Sequence, residues 1–254
     1  MFFFGTISKN IRTLFKNITL PYRFLKSYLK AKSIIQSTNP KVIIGTGGYS
    51  SGIPLLVGVR LGIPTIIQEQ NSIPGLVTKK LHSKVNKICS AYKKSYEIIN
   101  TNNIVLTGNP ISKKIKRIDK NKAKDKLKIY QNNKVILFLG GSQGASPINK
   151  HLVSNIEFYI DNQYQVILQC GTKNFNDIPL HIKNNKQFMI KSFFNDLSYV
   201  YNAADIVIAR AGALTISELS YLGKAMILIP YKYAADNHQF YNANELAKKN
   251  ACIL

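Results

Sequence analysis

The chain predicts an α/β protein built on parallel sheets, and three observations lead there. Short apolar runs alternate with helical stretches along the sequence: KVIIGTGG, PTIIQEQN, KVILFLGG, YQVILQCG, DIVIARAG and AMILIPY. Within these runs apolar residues follow one another instead of alternating with polar ones, the pattern of a strand covered by helices on both faces. Several runs end directly in glycine or polar turns, as the strand-to-helix connections of parallel sheets do. At 254 residues and 45% hydrophobic content, the chain is long enough for one large or two small domains.

At the start, MFFFG is too short for a signal-peptide core, and no run approaches the roughly 20 apolar residues of a membrane span. Ile7, Ile11, Leu14, Phe15 and Ile18 recur at helical spacing, with Lys9, Arg12 and Lys16 on other faces. After Pro21 the pattern repeats in Phe24, Tyr28, Ala31 and Ile35 beside Lys26, Lys30 and Lys32. A basic amphipathic pair of this kind either lies in a membrane interface or packs on its own sheet.

KVIIGTGGYSSGIP (41–54) reads as strand, glycine turn and helix, the turn carrying Gly47 and Gly48 before Tyr49. GIPTIIQEQNSIPG (62–75) follows, its strand ending in Gln68, Glu69, Gln70 and Asn71. Ligands of open α/β sheets bind outside the carboxyl ends of strands, which makes this polar cluster a site candidate beyond mere turn capping. VILFLGGSQGA (135–145) is a third strand and turn: Gly140, Gly141 and Gly144 let the backbone approach a ligand, and Ser142 or Gln143 is placed to cap the helix that Ala145 begins. The amides of such a helix start attract an anion, a phosphate first of all. In ADIVIARAGALTISELSYLGKAMILIP (204–230), the strand gives way to Gly212 and Ala213 and to a helix carrying Thr215, Ser217 and Glu218. Glu218 either complements the helix dipole or accepts the two hydrogen bonds of a ribose diol. DNHQFYNANELAKKN (236–250) opens one more helix, with Asp236 as expected N-cap and Gln239 on the first turn.

The formal charge of +23 rests on lysine, with only Arg12, Arg23, Arg60, Arg117 and Arg210 as arginines among the 35 basic residues. Readers of nucleic-acid sequence favour arginine and interleave aromatics for stacking, so no specific nucleic-acid partner is expected, whereas attraction to anionic surfaces is. Cys89, Cys170 and Cys252 lie far apart, as do the four histidines, which indicates neither a metal site nor a disulfide framework. No GxxxxGK precedes a Ser or Thr, and GGSQGA misses the GxGxxG spacing. The strand QVILQC ends in Gln169 and Cys170 rather than in the acid of a dinucleotide fold. With no Asp-x-Asp metal pair, glycine turns, helix starts and one glutamate point to a two-lobe nucleotide-sugar transferase.

GTGGYSSG, QEQN, TGNP, GGSQGA, RAGALTISE and DNHQFYNA together resemble, in order and spacing, the MurG family, whose members transfer N-acetylglucosamine from its UDP conjugate to lipid I to give lipid II. The resemblance implies two Rossmann-like lobes of the GT-B glycosyltransferase type, both incomplete here: 1–115 an acceptor and membrane lobe, 116–254 a UDP-sugar lobe. It implies inverting, metal-independent transfer from UDP-N-acetylglucosamine to the 4-hydroxyl of undecaprenyl-diphosphate-linked MurNAc-pentapeptide, with no cofactor, at the cytoplasmic face of the bacterial inner membrane. Carried over by motif, Ser142, Gln143 and Gly144 contact the UDP portion. Ala213, Leu214, Thr215, Ile216, Ser217 and Glu218 wrap uracil, ribose and phosphates, with Glu218 on the ribose hydroxyls. Phe194 lies beside uracil, Gln239 on the sugar, and Asn71 reaches toward it from the first lobe. Gly47, Gly48 and Tyr49 form an acceptor loop. Glu69 is the candidate base by location, with capping of its own turn as the other reading.

Three departures from the family pattern stand out. Gln68 occupies a position where histidine is usual, so it can hydrogen-bond but not carry a proton. Ser112 stands where a basic residue that contacts UDP is usual, with Lys113 and Lys114 as substitutes. The family's N-terminal glycine loop is not found, and the chain stops at NACIL, so it is expected to be an internal portion that binds UDP-N-acetylglucosamine weakly. Two alternatives stay open: a truncated or split-gene product that binds without turnover, and a basic nucleic-acid-binding protein.

Overall fold

The apolar runs become the strands of two parallel sheets. In the computed structural model, which describes residues 19–141 and 143–254, the chain divides into a first unit, Met1–Asn109, and a second, Pro110–Leu254. The first amphipathic stretch, Ile7 to Ile18, lies outside the described residues, as does Ser142. The unit boundary falls six residues before the expected 115/116. Ile111 and Ile115 pack on the second core, and the Lys116 amide donates to Ser198 Oγ (3.1 Å) while the Ile118 amide donates to Asn202 Oδ1 (3.1 Å).

In the first unit, α1 (Leu20–Thr38) precedes β1 (Ile43–Gly45), α2 (Tyr49–Arg60), β2 (Thr65–Glu69), α3 (Leu76–Leu81), β3 (Lys87–Ser90), α4 (Lys93–Ile99) and β4 (Ile104–Leu106). The sheet order is β1-β2-β3-β4, every pair parallel. Leu55, Ile67, Ile88 and Ile104 form its core. The Phe24, Tyr28 and Ile35 face of α1 turns inward, with the Arg60 guanidinium 5.0 Å from the Tyr28 ring centre, while Tyr22, Leu25, Leu29 and Ile34 are exposed. Packing on the protein's own fold thus accounts for the face the sequence singled out.

The second unit runs α5 (Lys120–Leu127), β5 (Val135–Leu139), α6 (Ser146–Ser154), α7 (Ile156–Asp161), β6 (Gln165–Gln169), α8 (Leu180–Lys183), β7 (Phe188–Lys191), α9 (Ser198–Ala203), β8 (Ile206–Ala209), α10 (Ala213–Leu222), β9 (Ala225–Leu228) and α11 (His238–Ala247). Its parallel sheet has the order β7-β6-β5-β8-β9, so the chain winds outward one way from β5 and then the other. Cores form on both faces, Leu137, Tyr201, Val207 and Leu219 on one, Phe138, Leu152, Leu168 and Ile182 on the other. Two-sided burial is why these strands read as unbroken apolar runs.

β3, β4 and β7 carry no such signature, being three or four residues long with Lys87, Val105, Leu106 and Lys191 exposed. Two expected caps are also replaced. α6 starts after Ala145 without a side-chain cap and has Pro147 in its first turn, where a missing N–H costs nothing. α11 starts after Asn237, and Asp236 precedes it in the left-handed region (φ 50°) instead of capping it.

Candidate functional site

Reversal of strand order between β5 and β8 opens a crevice at their carboxyl ends, the usual ligand address of a doubly wound sheet. A cavity of about 760 Å³ lies there, lined by Gly140, Gly141 and residues 143–147 of the first turn, by Gly212, Thr215 and Glu218 of the β8–α10 segment, and by Tyr231 and Gln239. That volume lies within the usual range for small-molecule sites. GGSQGA, RAGALTISE and DNHQFYNA, dispersed over about a hundred residues of sequence, therefore share one wall-to-wall space.

The three glycines of the first turn do different things. A Cβ on Gly144 (φ 78°) would sit 2.1 Å from the Cys170 carbonyl oxygen, and one on Gly140 2.4 Å from the Ala145 nitrogen. Both are glycine because backbone packs on backbone. Gly141 (φ 78°) has nothing within 4 Å of a built Cβ, so it alone leaves open space in the cavity wall. The Cys170 oxygen is held by amide groups of Asn149 and Asn174, each at 3.0 Å, which anchors the turn to the exit of β6. The opening amides of α10 lie beside the cavity without helical acceptors, since the first helical bond runs from Ile216 N to Gly212 O (3.0 Å).

Of the residues expected to bind, Gln143, Gly144, Thr215, Glu218 and Gln239 line this cavity. Ile216 is buried in the core, Ala213 is buried at the helix start, and Leu214 is exposed away from the lining. Ser217 Oγ donates to the Ala213 carbonyl (2.9 Å) within the helix. Phe194 is not on the wall. It is buried in the core with its amide donating to Gln169 Oε1 (3.0 Å), and its neighbour Phe193, half exposed, lines the cavity instead. Ser112 lies outside it in a turn, its Oγ accepting from the Lys114 amide (3.3 Å). Lys113 and Lys114 instead line a separate cleft of about 350 Å³ with Lys116, Asp196 and Tyr199.

Arg210 and Glu218 are the two charged residues among the described residues lining the cavity. Arg210 Nη1 donates to the Ile229 (3.2 Å) and Pro230 (3.1 Å) carbonyls, and its guanidinium lies 5.6 Å from the Tyr231 ring centre. Burial lowers its pKa, yet a guanidinium stays charged. Glu218 Oε2 accepts from the buried Tyr201 hydroxyl at 2.9 Å. Burial raises the Glu218 pKa, and the Tyr201 bond offsets part of that rise. Tyr201 in turn is pushed up by its own burial and by the neighbouring carboxylate. Gln239 Oε1 accepts from the Tyr231 amide (2.9 Å), which leaves its Nε2 as donor. Arg210, Phe193, Gln169, Tyr201 and Tyr231 carried no assignment from sequence. Arg210 was findable, since it stands inside RAGALTISE one residue beyond the strand; Tyr201 sits in an apolar helix with nothing to mark it.

The first unit gathers the other three motifs at the carboxyl end of its sheet. Gln70 Nε2 donates to the Thr46 carbonyl (3.0 Å) beside Gly47 and Gly48, and Gln68 Nε2 donates to Asn109 Oδ1 (2.8 Å) of TGNP. Asn109 Nδ2 donates back to the Gln70 carbonyl (3.1 Å). Tyr49 opens α2 after Gly48 and is partly exposed. Glu69 is buried and fully engaged: Oε1 accepts from the Asn71 amide (3.1 Å), and Oε2 from the Gly75 amide (3.0 Å) and the Thr78 hydroxyl (2.5 Å).

Comparison with known proteins agrees with this division. The N-terminal domain of glycosyltransferase family 28 matches residues 5–90, and its C-terminal domain matches residues 135–254. A Halalkalibacterium halodurans protein named UDP-N-acetylglucosamine--N-acetylmuramyl-(pentapeptide) pyrophosphoryl-undecaprenol N-acetylglucosamine transferase is 36% identical over 242 residues, 94% of this chain and 67% of that protein. The chain belongs to the MurG family. A Flavobacterium psychrophilum protein of the same name is 42% identical, again over 94% of this chain but 65% of its own length. The crystal structure of Acinetobacter baumannii MurG superposes with a TM-score of 0.69 at 26% identity, covering 92% of this chain and 65% of that one. The chain thus spans about two thirds of the length of the MurG proteins it matches. A putative UDP-N-acetylglucosamine 2-epimerase from Listeria monocytogenes shares the fold (TM-score 0.67, 10% identity, 91% of this chain and 66% of that one).

Proposed function

We propose that the chain carries the donor site of a glycosyltransferase that moves N-acetylglucosamine from UDP-N-acetylglucosamine to the 4-hydroxyl of the muramyl residue of undecaprenyl-diphosphate-linked MurNAc-pentapeptide, the lipid I to lipid II step of peptidoglycan synthesis. The observation that carries this reading is the convergence of three separate motifs on one cavity at the strand-order reversal of the second unit. The names of the matched relatives supply the substrate class.

In this reading the diphosphate lies against the 140–147 turn, which includes Ser142, Gln143 and Gly144, and against the start of α10, where the amides of Ala213, Leu214 and Thr215 precede the first helical bond. The starts of α6 and α10 and the fixed charge of Arg210 stabilise departing UDP without calling on a metal ion. Glu218 accepts from the ribose hydroxyls, and Gln239 Nε2 donates to the sugar. Inversion follows from direct attack of the acceptor hydroxyl on the anomeric carbon as UDP leaves.

The first unit serves the acceptor, with Gly47, Gly48 and Tyr49 as its loop. Glu69, with three donors on its two oxygens, holds the 69–78 segment that presents Asn71, which supports the turn-capping reading of this residue over the candidate base. A membrane face is supported by a groove of about 290 Å³ whose apolar floor includes Phe24, Leu56, Leu76 and Val77 and whose cations are Arg60, Lys80 and Lys84. The exposed Tyr22, Leu25 and Leu29 of α1 extend the apolar surface of that unit. Apolar surface with a cationic rim suits an anionic leaflet, here the cytoplasmic face of the bacterial inner membrane, where the protein is peripheral.

Calorimetric titration of the chain with UDP-N-acetylglucosamine, with UDP-glucose as control, tests the donor assignment. Saturable binding that favours the N-acetylglucosamine conjugate is expected. A folded chain that binds neither nucleotide sugar refutes it.

A further inference from the structure

The Tyr201–Glu218 pair is an asymmetric device. Tyr201 is 1% exposed, lies within the core that includes Leu137, Val207 and Leu219, and is tied through its amide to the Leu197 carbonyl (2.9 Å). Its hydroxyl is therefore a fixed point. Glu218 is half-buried, has three side-chain torsions, and would sample several carboxylate orientations if left alone. The bond from the Tyr201 hydroxyl to Oε2, at 2.9 Å, selects one of them. Glu218 lines the cavity, and among the described residues no donor engages Oε1, which is left with two acceptor positions, enough for two vicinal hydroxyls on a single oxygen. Among the described residues that line the cavity, Glu218 is also the one anion and Arg210 the one cation. An anion beside a diphosphate would repel it, so the carboxylate belongs with a neutral donor pair.

We propose that Tyr201 is a positioning residue for ribose recognition: its buried hydroxyl fixes Oε2 of Glu218 and leaves Oε1 to the ribose diol, so that the site selects ribonucleotides over their dideoxy counterparts. This rests on the reading of the cavity as a UDP-sugar site. The same bond offsets part of the rise that burial gives the Glu218 pKa, which favours the carboxylate, a group that only accepts, over the acid. Two residues on different elements thus divide the task, α10 supplying the acceptor and α9 its orientation.

The test is a set of four proteins, wild type, Tyr201→Phe, Glu218→Gln and the double variant, each titrated with UDP and with 2′,3′-dideoxyuridine 5′-diphosphate. Tyr201→Phe is expected to weaken UDP about tenfold, the scale of one hydrogen bond to a charged group, and to leave the dideoxy nucleotide within about twofold. In the Glu218→Gln background the same change is expected to move UDP affinity by less than about twofold, because the group it positions is gone. Equal losses against both nucleotides, or equal losses in both backgrounds, would mean that Tyr201 only fills the core, and overturn the proposal. The double variant leaves no carboxylate deprived of its donor, so it decides the matter against Glu218→Gln even where Tyr201→Phe alone unfolds. Wild-type protein that binds neither nucleotide sinks the UDP-site reading itself, whereas wild type that binds UDP with an unmoved ratio in Tyr201→Phe sinks this proposal alone.

Discussion

Replacing Gly144 and Gly141 by alanine, one at a time, separates the two reasons a turn can need glycine. Both have φ of 78°, so each substitution incurs the left-handed strain of an L-residue, about 1–2 kcal/mol. At Gly141 nothing else is added, since a Cβ there meets no atom within 4 Å. At Gly144 the new carbon would lie 2.1 Å from the Cys170 oxygen and 2.3 Å from Asn174 Nδ2, and the backbone oxygen is itself clamped at 3.0 Å by Asn149 and Asn174. Relief requires the turn to lift off the β6 exit and at least one of these bonds to break, at about 1 kcal/mol each with the packing lost besides. The total for Gly144→Ala is then about 3–5 kcal/mol. With a urea m-value of about 2 kcal/mol per molar, the midpoint of the second unit falls by about 0.5–1 M for Gly141→Ala and by about 1.5–2.5 M for Gly144→Ala. Urea unfolding followed by far-ultraviolet circular dichroism measures both. Equal shifts, or a larger one at Gly141, would refute the claim that Gly144 is set by backbone packing.

Glu218→Gln should raise the stability of the second unit at neutral pH while weakening UDP binding. The folded-state pKa of Glu218 lies above its unfolded value because burial penalises the charge, so its favourable contribution is present at low pH and is lost as pH rises through the folded value. The stability gap between variant and wild type is therefore expected at pH 7 and should close on acidification, and a gap that widens toward acid contradicts this sign. Glu69→Gln puts an amide donor against one of three existing donors and is expected to lower first-unit stability by about 1–3 kcal/mol with UDP affinity unchanged. A variant of native stability that has lost turnover would restore Glu69 as the base. Finally, Lys80→Glu with Lys84→Glu should abolish salt-sensitive sedimentation with anionic vesicles and leave UDP binding intact, and unchanged sedimentation would remove the basic groove from the membrane face.

Much of the fold and the address of the site was legible in the sequence because the signals were local. A strand covered on both faces must be apolar at every position, as in Val135 to Leu139, and a strand-to-helix turn at its end needs glycine or polar residues next in sequence. The three strands that escaped notice, β3, β4 and β7, are short and keep exposed positions, so their pairing is a matter of backbone register and leaves little in composition. The N-cap expected at Asp236 failed for a related reason: left-handed backbone at Asp236 and Asn237 moved the helix start by one residue.

By itself, then, the sequence determined that this is a two-unit parallel α/β protein with its polar and glycine clusters at the carboxyl ends of strands, and which family those clusters resemble. Only the tertiary structure decided which of two adjacent phenylalanines faces the cavity, that Gly144 answers to Cys170, that Glu69 is already occupied, and that Glu218 has a phenol behind it. Phe194 and Gln169 are 25 residues apart, and Tyr201 and Glu218 are 17 apart. Hydrogen bonds between such positions exist only once helices and strands have packed, so no local periodicity or motif spacing could have specified them.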